Sequence, residues 1–423
     1  MPDAAGLARY TATVRKNNKV MPPSPPARPT DTGAVQPIPM YPGQSSPIKH
    51  VFLVIKENRT YDQVYGDLPQ GNGDSSLTIF GRDVTPNHHA LAEQFTLMDN
   101  YYGPGDQSAL GHRWITQGFP SDWAMKYSNA RNDQNPMLFA PTDFIWDAMK
   151  RHGKTVRSFG ERGLNTITPS TAGWTEMYKD YVSGTNAVTV APRAVIVGLR
   201  DVYSSNVAAA DSKVPDVMRA KGFLKEFAEF DKNGNLPDLC VLLLYNDHTA
   251  GTSPGYPTPR AQVADNDVAL GQVVDAISHS KYWKESAIFV TEDDSQDGTD
   301  HVDGHRTVGL VISPYTKHGA VDSTFYTIIN MFRTMEQILG LPPMNQYDMA
   351  AEPMFSLFTT APDLTPYAAL KNNIPLDEMN PPVSGLRGLR RRYAIASSKM
   401  DFSEPDANPA ELLNRIIWHS VKG

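Results

Sequence analysis

The spacing of apolar residues predicts a protein built from alternating strands and helices. Strand-like segments, most of them continuous apolar runs, lie at residues 51–55, 155–159, 239–244, 287–290 and 308–312. A continuous apolar run of this length is typical of a strand that is buried on both faces of a parallel sheet. We therefore expect these strands to form a sheet that is covered on both sides.

Segments with the apolar spacing of helices lie between these strands. The clearest are residues 85–95, 141–149, 260–278 and 325–339, and the first two begin with the early proline that opens many helices. Strands that alternate with helices of this length indicate βαβ units. The predicted fold class is α/β, with a mostly parallel sheet and helices on both of its faces.

Three regions are predicted along the chain. Residues 1–47 form a short helix and a proline-rich arm that runs extended over the surface. Residues 48–350 form the α/β domain, in which the polar, poorly periodic stretch 165–235 is a cap or insertion. Residues 351–423 form an irregular tail and a last helix that packs on the core. The predicted buried face of that helix carries Leu412, Leu413, Ile416 and Ile417.

Composition and charge narrow the class of protein. Hydrophobic residues make up 40% of the chain and charged residues 20%, which is ordinary for a globular protein with a large core. The formal net charge of −7 argues against a nucleic-acid partner, because such proteins carry broad basic surfaces. No apolar run approaches the roughly 18 to 20 residues that span a bilayer. The single cysteine, Cys240, excludes an internal disulfide.

A basic cluster near the end of the chain departs from this acidic balance. Four of the six residues 387–392 are arginines. We expect a solvated helix face in which the stems of Leu386 and Leu389 pack inward. The alternative is a surface that attracts an anionic membrane or a polyphosphate.

Polar side chains follow three of the predicted strands, at the points where the strands end. They are Glu57 and Asn58, Asp247 and His248, and Asp293 and Asp294 with His301 and His305 further along the chain. Ligands of open α/β sheets bind beyond the carboxyl ends of the strands, so we expect these side chains at one edge of the sheet. A single acid at a strand end usually caps a helix or makes a turn, but three such groups favour a metal site.

The types of ligand indicate the type of metal. Carboxylate oxygens together with imidazole nitrogens suit zinc, manganese or a similar divalent ion. A site built from oxygens alone would favour calcium or magnesium. The pattern is compatible with one ion or with two.

A serine lies where another helix is predicted to begin. Residues 105–112 form a glycine-containing turn that leads into this helix, and Ser108 stands at its start. The positive end of the helix dipole and the N–H groups of Ala109 and Leu110 suit an alkoxide nucleophile and a phosphate dianion. A metal ion on the same oxygen would lower its pKa. The simpler alternative is that Ser108 only caps the helix. His112, one turn later, is expected to contact the phosphoryl group or the leaving oxygen.

Three motifs resemble a known family. Residues 48–62 (IKHVFLVIKENRTYD) are similar to the opening motif of the phosphoesterase family that contains non-haemolytic phospholipases C and metal-dependent acid phosphatases. Residues 85–95 resemble the Thr-Pro-Asn helix that precedes the nucleophile in the alkaline-phosphatase superfamily, and residues 291–302 resemble the late acidic motif that ends in Asp-His-Val. The resemblance covers residues 48–348. The N-terminal part further resembles the phosphatase half of bacterial proteins that carry an upstream β-propeller.

The resemblance implies an alkaline-phosphatase-like fold and roles for the residues singled out above. Ser108 falls where the superfamily keeps its nucleophile. The metal ligands that the resemblance implies are Glu57, Asn58, Ser108, Asp247, His248, Asp293, Asp294, His301 and His305. The implied cofactor is zinc, manganese or calcium.

A metal-dependent hydrolase of phosphate esters is therefore the expected function. Ser108 would attack phosphorus to give a phosphoserine intermediate, with phosphomonoesters as the expected substrates. The alternatives are a phosphodiesterase or phospholipase C, and a catalytically degenerate binding protein. A sulfatase is disfavoured because Ser108 is followed by residues 109–112 (ALGH), which do not match the Cys/Ser-x-Pro-x-Arg context of sulfatases.

Expected partners and location follow from the same resemblance. The expected partner is a phosphate-ester substrate, with peripheral contact to a membrane or phospholipid as a further possibility. The resemblance implies a periplasmic or secreted protein, although the sequence opens without a signal peptide. A complete chain of this sequence would be expected in the cytoplasm.

Overall fold

The computed structural model describes most of the chain. The described residues are 2–17, 36–40, 44–126, 135–296, 298–402 and 408–423. Most of the predicted proline-rich arm lies outside these residues, and so does Asp297 of the late acidic motif. Among the described residues, no helix is long and apolar enough to cross a membrane.

Strands and helices alternate along the chain, as the apolar pattern predicts. The strands are β1 (His50–Lys56), β2 (Thr96–Met98), β3 (Tyr101–Tyr102), β4 (Val156–Phe159), β5 (Gly163–Thr168), β6 (Thr189–Ala194), β7 (Leu239–Leu244), β8 (Ser286–Glu292), β9 (Gly309–Ile312), β10 (Ala320–Asp322) and β11 (Tyr326–Thr327). The helices are α1 (Ala4–Asn17), α2 (Tyr61–Tyr65), α3 (Pro86–Gln94), α4 (Ser108–Gln117), α5 (Asp122–Lys126), α6 (Ile145–Arg151), α7 (Trp174–Ser183), α8 (Asp216–Asn233), α9 (Pro259–Ser278), α10 (Ile328–Leu339), α11 (Gln346–Ala350), α12 (Gly388–Ser397) and α13 (Ala410–Lys422).

The main sheet has the strand order β4-β7-β1-β8-β9. Its first four strands are parallel, and β9 runs antiparallel to β8 at the edge. Parallel strands end at the same edge of a sheet, so the loops after β4, β7, β1 and β8 all meet there. The prediction of a mostly parallel sheet is confirmed.

Helices cover both faces of this sheet. Successive side chains of a strand point to opposite faces, and those of β1 belong to two separate cores. Val51, Leu53 and Ile55 pack with α6 and α10. Phe52 and Val54 pack with α3, α8 and α9 on the other face. The continuous apolar run in β1 is therefore explained by burial on both sides, as predicted.

The stretch 165–235 contains the antiparallel pair β5 and β6, which is connected through α7 and followed by α8. Its last helix packs directly on the sheet, because the rings of Phe223 and Phe52 lie 6.3 Å apart in an edge-to-face arrangement. Helix α8 therefore belongs to the cover of the sheet. For β5, β6 and α7, the predicted cap stays a prediction.

The C-terminal helix α13 buries a narrower face than predicted. Leu413, Ile416 and Ile417 are buried, whereas Leu412 is 36% exposed. The prediction was wrong for Leu412, because α13 turns Leu413, Ile416 and Ile417 toward the core instead.

Helix α4 approaches the end of β8 closely enough to exclude any side chain. A Cβ atom placed on Gly111 would lie 2.1 Å from the carbonyl oxygen of Asp293, the residue that follows β8. Glycine is therefore required where the helix rests on this backbone. The contact fixes the height of α4 above the edge of the sheet.

Two acids support the far end of α4. Glu336 in α10 and Asp348 in α11 are both buried, and the backbone N–H of Met344 donates to a carboxylate oxygen of each, over 3.2 and 2.9 Å. Asn345, which caps α11, donates its side-chain amide to the carbonyl of Gln117 at the end of α4 over 3.3 Å. Burial, and then the neighbouring charge of Asp348, raise the pKa of Glu336 to about 9.

Replacing Gly111 by alanine should destabilise the protein by about 2 kcal/mol or more, because overpacking against backbone forces α4 away from the sheet. The expected change in stability has the opposite sign to the usual one, since alanine ordinarily stabilises a helix relative to glycine. Urea unfolding of wild type and Gly111→Ala measures the difference. Gly385→Ala is the control, because nothing lies within 4 Å of a Cβ there. Equal stability of the Gly111 variant and wild type would contradict the contact.

Replacing Glu336 by glutamine should flatten the dependence of stability on pH. The unfolded chain releases the Glu336 proton near pH 4.5, whereas the folded protein keeps it up to about pH 9. The folded state binds the extra proton between these values, so wild-type stability falls as pH rises through them. Between about pH 5 and pH 8, wild type should lose at least about 1 kcal/mol more than Glu336→Gln.

Urea unfolding at several pH values provides the measurement. Glu229→Gln removes the same charge from an exposed position of α8 and should leave the wild-type slope unchanged. Parallel curves for wild type and Glu336→Gln would contradict the assignment of this proton.

Candidate active site

Three side chains from different parts of the chain meet at the carboxyl edge of the sheet. The Asn58 amide Nδ2 donates to Ser108 Oγ over 3.0 Å and to Asp294 Oδ1 over 2.9 Å. Ser108 Oγ donates to Asp294 Oδ2 over 3.0 Å. All three side chains are buried. The structure thus brings together a predicted nucleophile and two of its predicted neighbours in a closed triangle of hydrogen bonds.

Ser108 is the first residue of α4, and Gln107 rather than Ser108 takes the capping position. The simpler prediction, that Ser108 serves only as a helix cap, does not describe this geometry. The N–H of Leu110 was predicted to face a phosphate, but it donates to the carbonyl of Gln107 over 2.9 Å. That part of the prediction was wrong, because the first turn of α4 closes on the cap residue.

His112 lies one turn after Ser108 on the same face of α4. Its Nε2 lies 2.9 Å from Glu57 Oε1 and 3.6 Å from Asp293 Oδ2. Its Nδ1 lies 3.1 Å from Glu161 Oε1. The imidazole is therefore held between carboxylates on both sides, which orients the ring.

Negative charge is concentrated around this imidazole. Glu57, Glu161, Asp293 and Asp294 are all buried around the imidazole of His112, and Arg162 Nε lies 3.4 Å from Glu161 Oε1. Burial, followed by the charges of Asp294 and Glu57, raises the pKa of Asp293 well above its ordinary value. Burial alone would lower the pKa of His112, but the carboxylates of Glu161 and Glu57 raise it well above its ordinary value. Such an excess of buried carboxylate favours the binding of a cation.

The donor atoms fit a divalent metal ion. Glu57, His112 and Asp293 each offer one ligand atom, and these atoms lie within 4.8 Å of one another. Neither carboxylate oxygen of Asp293, nor the amide oxygen of Asn58, has a hydrogen-bond partner among the described residues. Buried polar atoms are normally satisfied, and a metal ion would satisfy these three oxygens. His112, predicted as a substrate contact, lies among the candidate ligands.

Glu161 is a site residue that the sequence interpretation missed. It follows β4 and Gly160, whose φ of 88° lets the chain turn sharply toward the site. The rule that ligands bind beyond strand ends could have found it, because 155–159 was predicted as a strand. The predicted site residues instead follow three other strands, β1, β7 and β8.

Asp247 lies beneath the site rather than beside Ser108. Lys56 Nζ lies 2.6 Å from its Oδ2, and its Oδ1 accepts the backbone N–H of Glu57 and the side-chain amide of Asn266, both over 3.1 Å. Its carboxylate therefore has cationic and N–H partners from the protein itself and holds the backbone of Glu57. Its role as a metal ligand stays a prediction.

His248 is also held by protein groups at both ring nitrogens. Nδ1 lies 2.9 Å from the carbonyl oxygen of Thr249, and Nε2 lies 2.9 Å from Nε2 of Gln296. The ring stacks on Tyr245 with centroids 5.5 Å apart. The structure does not bring His248 into the group formed by His112.

His301 belongs to a second acidic group nearer the surface. Its Nδ1 lies 2.6 Å from Asp62 Oδ2, and Asp300 completes the group. The buried guanidinium of Arg306 lies 3.0 Å from both Asp62 and Asp300. Because Arg306 forms ion pairs with both acids, the group is an ion-pair cluster, and His301 does not join the site around Ser108.

His305 lies on the surface beside the turn that carries Ser108. Its ring bridges Asp303, at 3.0 Å, and Asp106, at 2.8 Å. Asp106 lies two residues before Ser108, so His305 anchors the turn before α4. The structure does not place it among the candidate metal ligands.

Helix α3 carries the predicted Thr-Pro-Asn motif away from Ser108. The N–H groups at its start donate to Asp267 of α9, from Asn87 over 3.0 Å and from His88 over 2.8 Å. The amide oxygen of Asn87 accepts the hydroxyl of Tyr367 over 2.7 Å. The motif thus fixes α3 against α9 and supports the fold.

Comparisons with known sequences and structures concern the family of the chain. A search of curated protein sequences found no match. Solved structures that resemble this chain include a protein of the alkaline phosphatase superfamily from Vibrio parahaemolyticus, with 18% identity over 73% of this chain and 70% of that chain and a TM-score of 0.46. Another is the lipoteichoic acid synthase LtaP from Listeria monocytogenes, with 12% identity over 90% and 93% of the chains and a TM-score of 0.49.

A third is the phosphonate monoester hydrolase of Agrobacterium radiobacter, with 16% identity over 72% and 76% of the chains and a TM-score of 0.45. These resemblances are remote. The sequence also matches the profile of the Phosphoesterase family over residues 70–342, well over half of the chain. The protein therefore belongs to the Phosphoesterase family and is a hydrolase of phosphate esters.

Proposed function

We propose that the protein is a metal-dependent phosphomonoesterase in which Ser108 is the nucleophile. The observation that carries the proposal is the buried triangle of Ser108, Asn58 and Asp294 beside a group of carboxylates with unsatisfied oxygens. A hydroxyl in this position has both a proton acceptor and a hydrogen-bond donor within reach.

The residues that would hold the metal offer carboxylate, amide or imidazole donor atoms around the triangle. They are Glu57, Asn58, His112, Asp293 and Asp294. A mixture of carboxylate, amide and imidazole donors favours zinc or manganese over calcium. When bound, a divalent ion would supply Lewis-acid stabilisation of negative charge on the phosphoryl oxygens.

The first step is displacement of the alcohol by Ser108. Oγ attacks phosphorus, the bond from Oγ to phosphorus forms, and the bond from phosphorus to the leaving oxygen breaks. The leaving oxygen takes up a proton from solvent and departs as the alcohol. Asp294 Oδ2 already accepts the hydroxyl proton over 3.0 Å, so it is the nearest acceptor for that proton. Asn58 Nδ2 and the positive end of α4 favour negative charge at this position.

The second step is hydrolysis of phosphoserine. Water attacks phosphorus, the bond to Ser108 Oγ breaks, and the proton returns from Asp294 to the serine. One proton of the water stays on the phosphate product, and the other is released to solvent. The product is inorganic phosphate. His112 stays fixed between Glu57 and Glu161 throughout, because carboxylates flank both of its ring nitrogens.

A phosphodiesterase or phospholipase C is the alternative within the same chemistry. A monoester dianion carries more charge than a diester, and a site that takes up a metal ion among several carboxylates suits the more highly charged substrate. Comparison of kcat/KM for p-nitrophenyl phosphate and bis-p-nitrophenyl phosphate distinguishes the two. A higher value for the diester would replace our proposal with this alternative.

Ser108→Ala should lower kcat for p-nitrophenyl phosphate by at least about 10³-fold, because the covalent intermediate is lost. Metal content, measured by elemental analysis, should remain because Glu57, His112, Asp293 and Asp294 are intact. Ser76→Ala, at an exposed position, is the control and should keep full activity. Turnover by Ser108→Ala at the wild-type rate would remove the serine from the mechanism.

Asp293→Asn should weaken metal binding by more than about tenfold, since it replaces one of the acidic ligands and lowers the negative charge of the site. Titration with zinc or manganese after removal of metal by a chelator measures the change in Kd. Asp303→Asn, at an exposed acid, should bind metal like wild type. Wild-type enzyme that hydrolyses ester at its full rate after removal of metal by the chelator would contradict metal dependence. A protein that neither binds metal nor hydrolyses ester would support the alternative of a catalytically degenerate binding protein.

A further inference from the structure

The basic cluster near the C-terminus forms an arginine-rich helix at the surface. Arg390, Arg391 and Arg392 lie in α12, and Arg387 precedes it. All four are exposed, and no carboxylate lies within ion-pair distance of them among the described residues. Four uncompensated positive charges on a chain of net charge −7 make a strong local contrast.

The outer face of α12 carries one exposed apolar side chain, Leu389, between Arg387 and Arg390. Leu389 was predicted to pack inward, but 44% of it is exposed. That prediction was wrong because α12 turns Ala394 and Ser397 toward the core instead. Exposed leucine beside arginine is the composition of helices that lie in a membrane interface, where the charges meet headgroups and the apolar side chains enter the acyl boundary.

The helix is fixed to the frame of the protein on its other side. Ser397 Oγ accepts the backbone N–H of Thr252 over 3.1 Å, and a Cβ on Gly251 would lie 2.9 Å from the same oxygen. Residues 251 and 252 follow the turn after β7, at the edge of the sheet where Ser108 lies. The arginine face is therefore presented by a rigid element near that edge.

A cavity of about 380 Å³ adjoins α12. Arg390 lines it together with Tyr393 of the same helix, and Leu386, Ile416 and Val421 supply part of its apolar wall. Polar residues, among them Arg260 and Glu378, line the rest. A site that places a cation beside apolar walls suits an amphipathic ligand better than a purely polar polyanion.

We propose that α12 docks the protein on an anionic phospholipid surface. The arginines bind the headgroups, and Leu389 enters the apolar boundary. Charge complementarity selects this partner over a zwitterionic membrane, and the exposed leucine selects it over a soluble polyphosphate. The inference concerns a surface of the molecule and holds whether or not the proposed reaction of Ser108 is correct.

Vesicle sedimentation with the full chain tests the proposal. Wild type should bind vesicles that contain phosphatidylglycerol, should not bind vesicles of phosphatidylcholine alone, and should be released by high salt. The triple variant Arg387→Gln, Arg391→Gln, Arg392→Gln should bind at least about tenfold more weakly, because each arginine near an anionic surface contributes to affinity. A triple variant that binds like wild type would overturn the proposal.

A charge-matched control separates the patch from the net charge of the chain. Lys179, Lys281 and Lys284 are exposed and lie outside α12, and their joint replacement by glutamine should leave vesicle binding unchanged. Equal weakening of the control would overturn the proposal by showing that only total charge matters. Thermal unfolding midpoints of all variants should match wild type, since the replaced side chains are exposed.

Leu389→Ser distinguishes a membrane from a polyanion, because it keeps every charge. Binding to the phosphatidylglycerol vesicles should weaken by about threefold or more, while binding to polyphosphate should not change. Wild type that binds polyphosphate but not vesicles would overturn the membrane proposal in favour of a polyanion site.

Discussion

A buried lysine at the end of the central strand is the interaction on which the site depends. Lys56 closes β1, and its ammonium lies 2.6 Å from a carboxylate oxygen of Asp247 after β7 and 2.6 Å from one of Glu292 in β8. Burial alone would lower the pKa of Lys56, but these two carboxylates raise it above its ordinary value. The ion pairs thus tie together the ends of three neighbouring strands, and the loops that carry the candidate ligands begin directly after them.

The residues directly after Lys56 and Glu292 are acids that this lysine does not pair with. Glu57 follows Lys56, and Asp293 follows Glu292, so a second set of carboxylates lies directly beyond the first. Removing one charge of a buried pair is strongly destabilising, and buried carboxylates without a partner are costly for the same reason. The fold therefore contains a complete ion-pair layer and, beside it, a carboxylate layer for which His112 is the principal protein cation. Under the proposed function, binding of a divalent ion would complete the second layer and would couple the stability of this edge to metal binding.

Sequence reasoning predicted the sheet and much of the site because both depend on local pattern. Apolar runs mark β1, β7 and β8, and the rule for strand ends then selects Asn58 and Asp294. Sequence reasoning failed where the partner of a side chain lies on a distant segment, because only the folded sheet brings the two together. Nothing in the local sequence shows that Asp247 faces Lys56, or that Glu161 reaches His112. Arg306 forms ion pairs with the acids around His301, and this pairing likewise depends on a fold that brings distant segments together.

The geometry of α4 explains how one helix serves two neighbouring sets of ligands. Adjacent residues at a strand end diverge, and residues four apart on a helix lie on one face. In the first set, Asn58 and Asp294 are hydrogen-bonded to Ser108. In the second set, Glu57 is hydrogen-bonded to His112, and Asp293 lies 3.6 Å from the same ring nitrogen. Gly111 lies within the same turn and rests on the Asp293 carbonyl. A shift of α4 along its axis would therefore break both sets together. The backbone contact of Gly111 with Asp293 thus determines where Ser108 and His112 lie relative to the acidic edge.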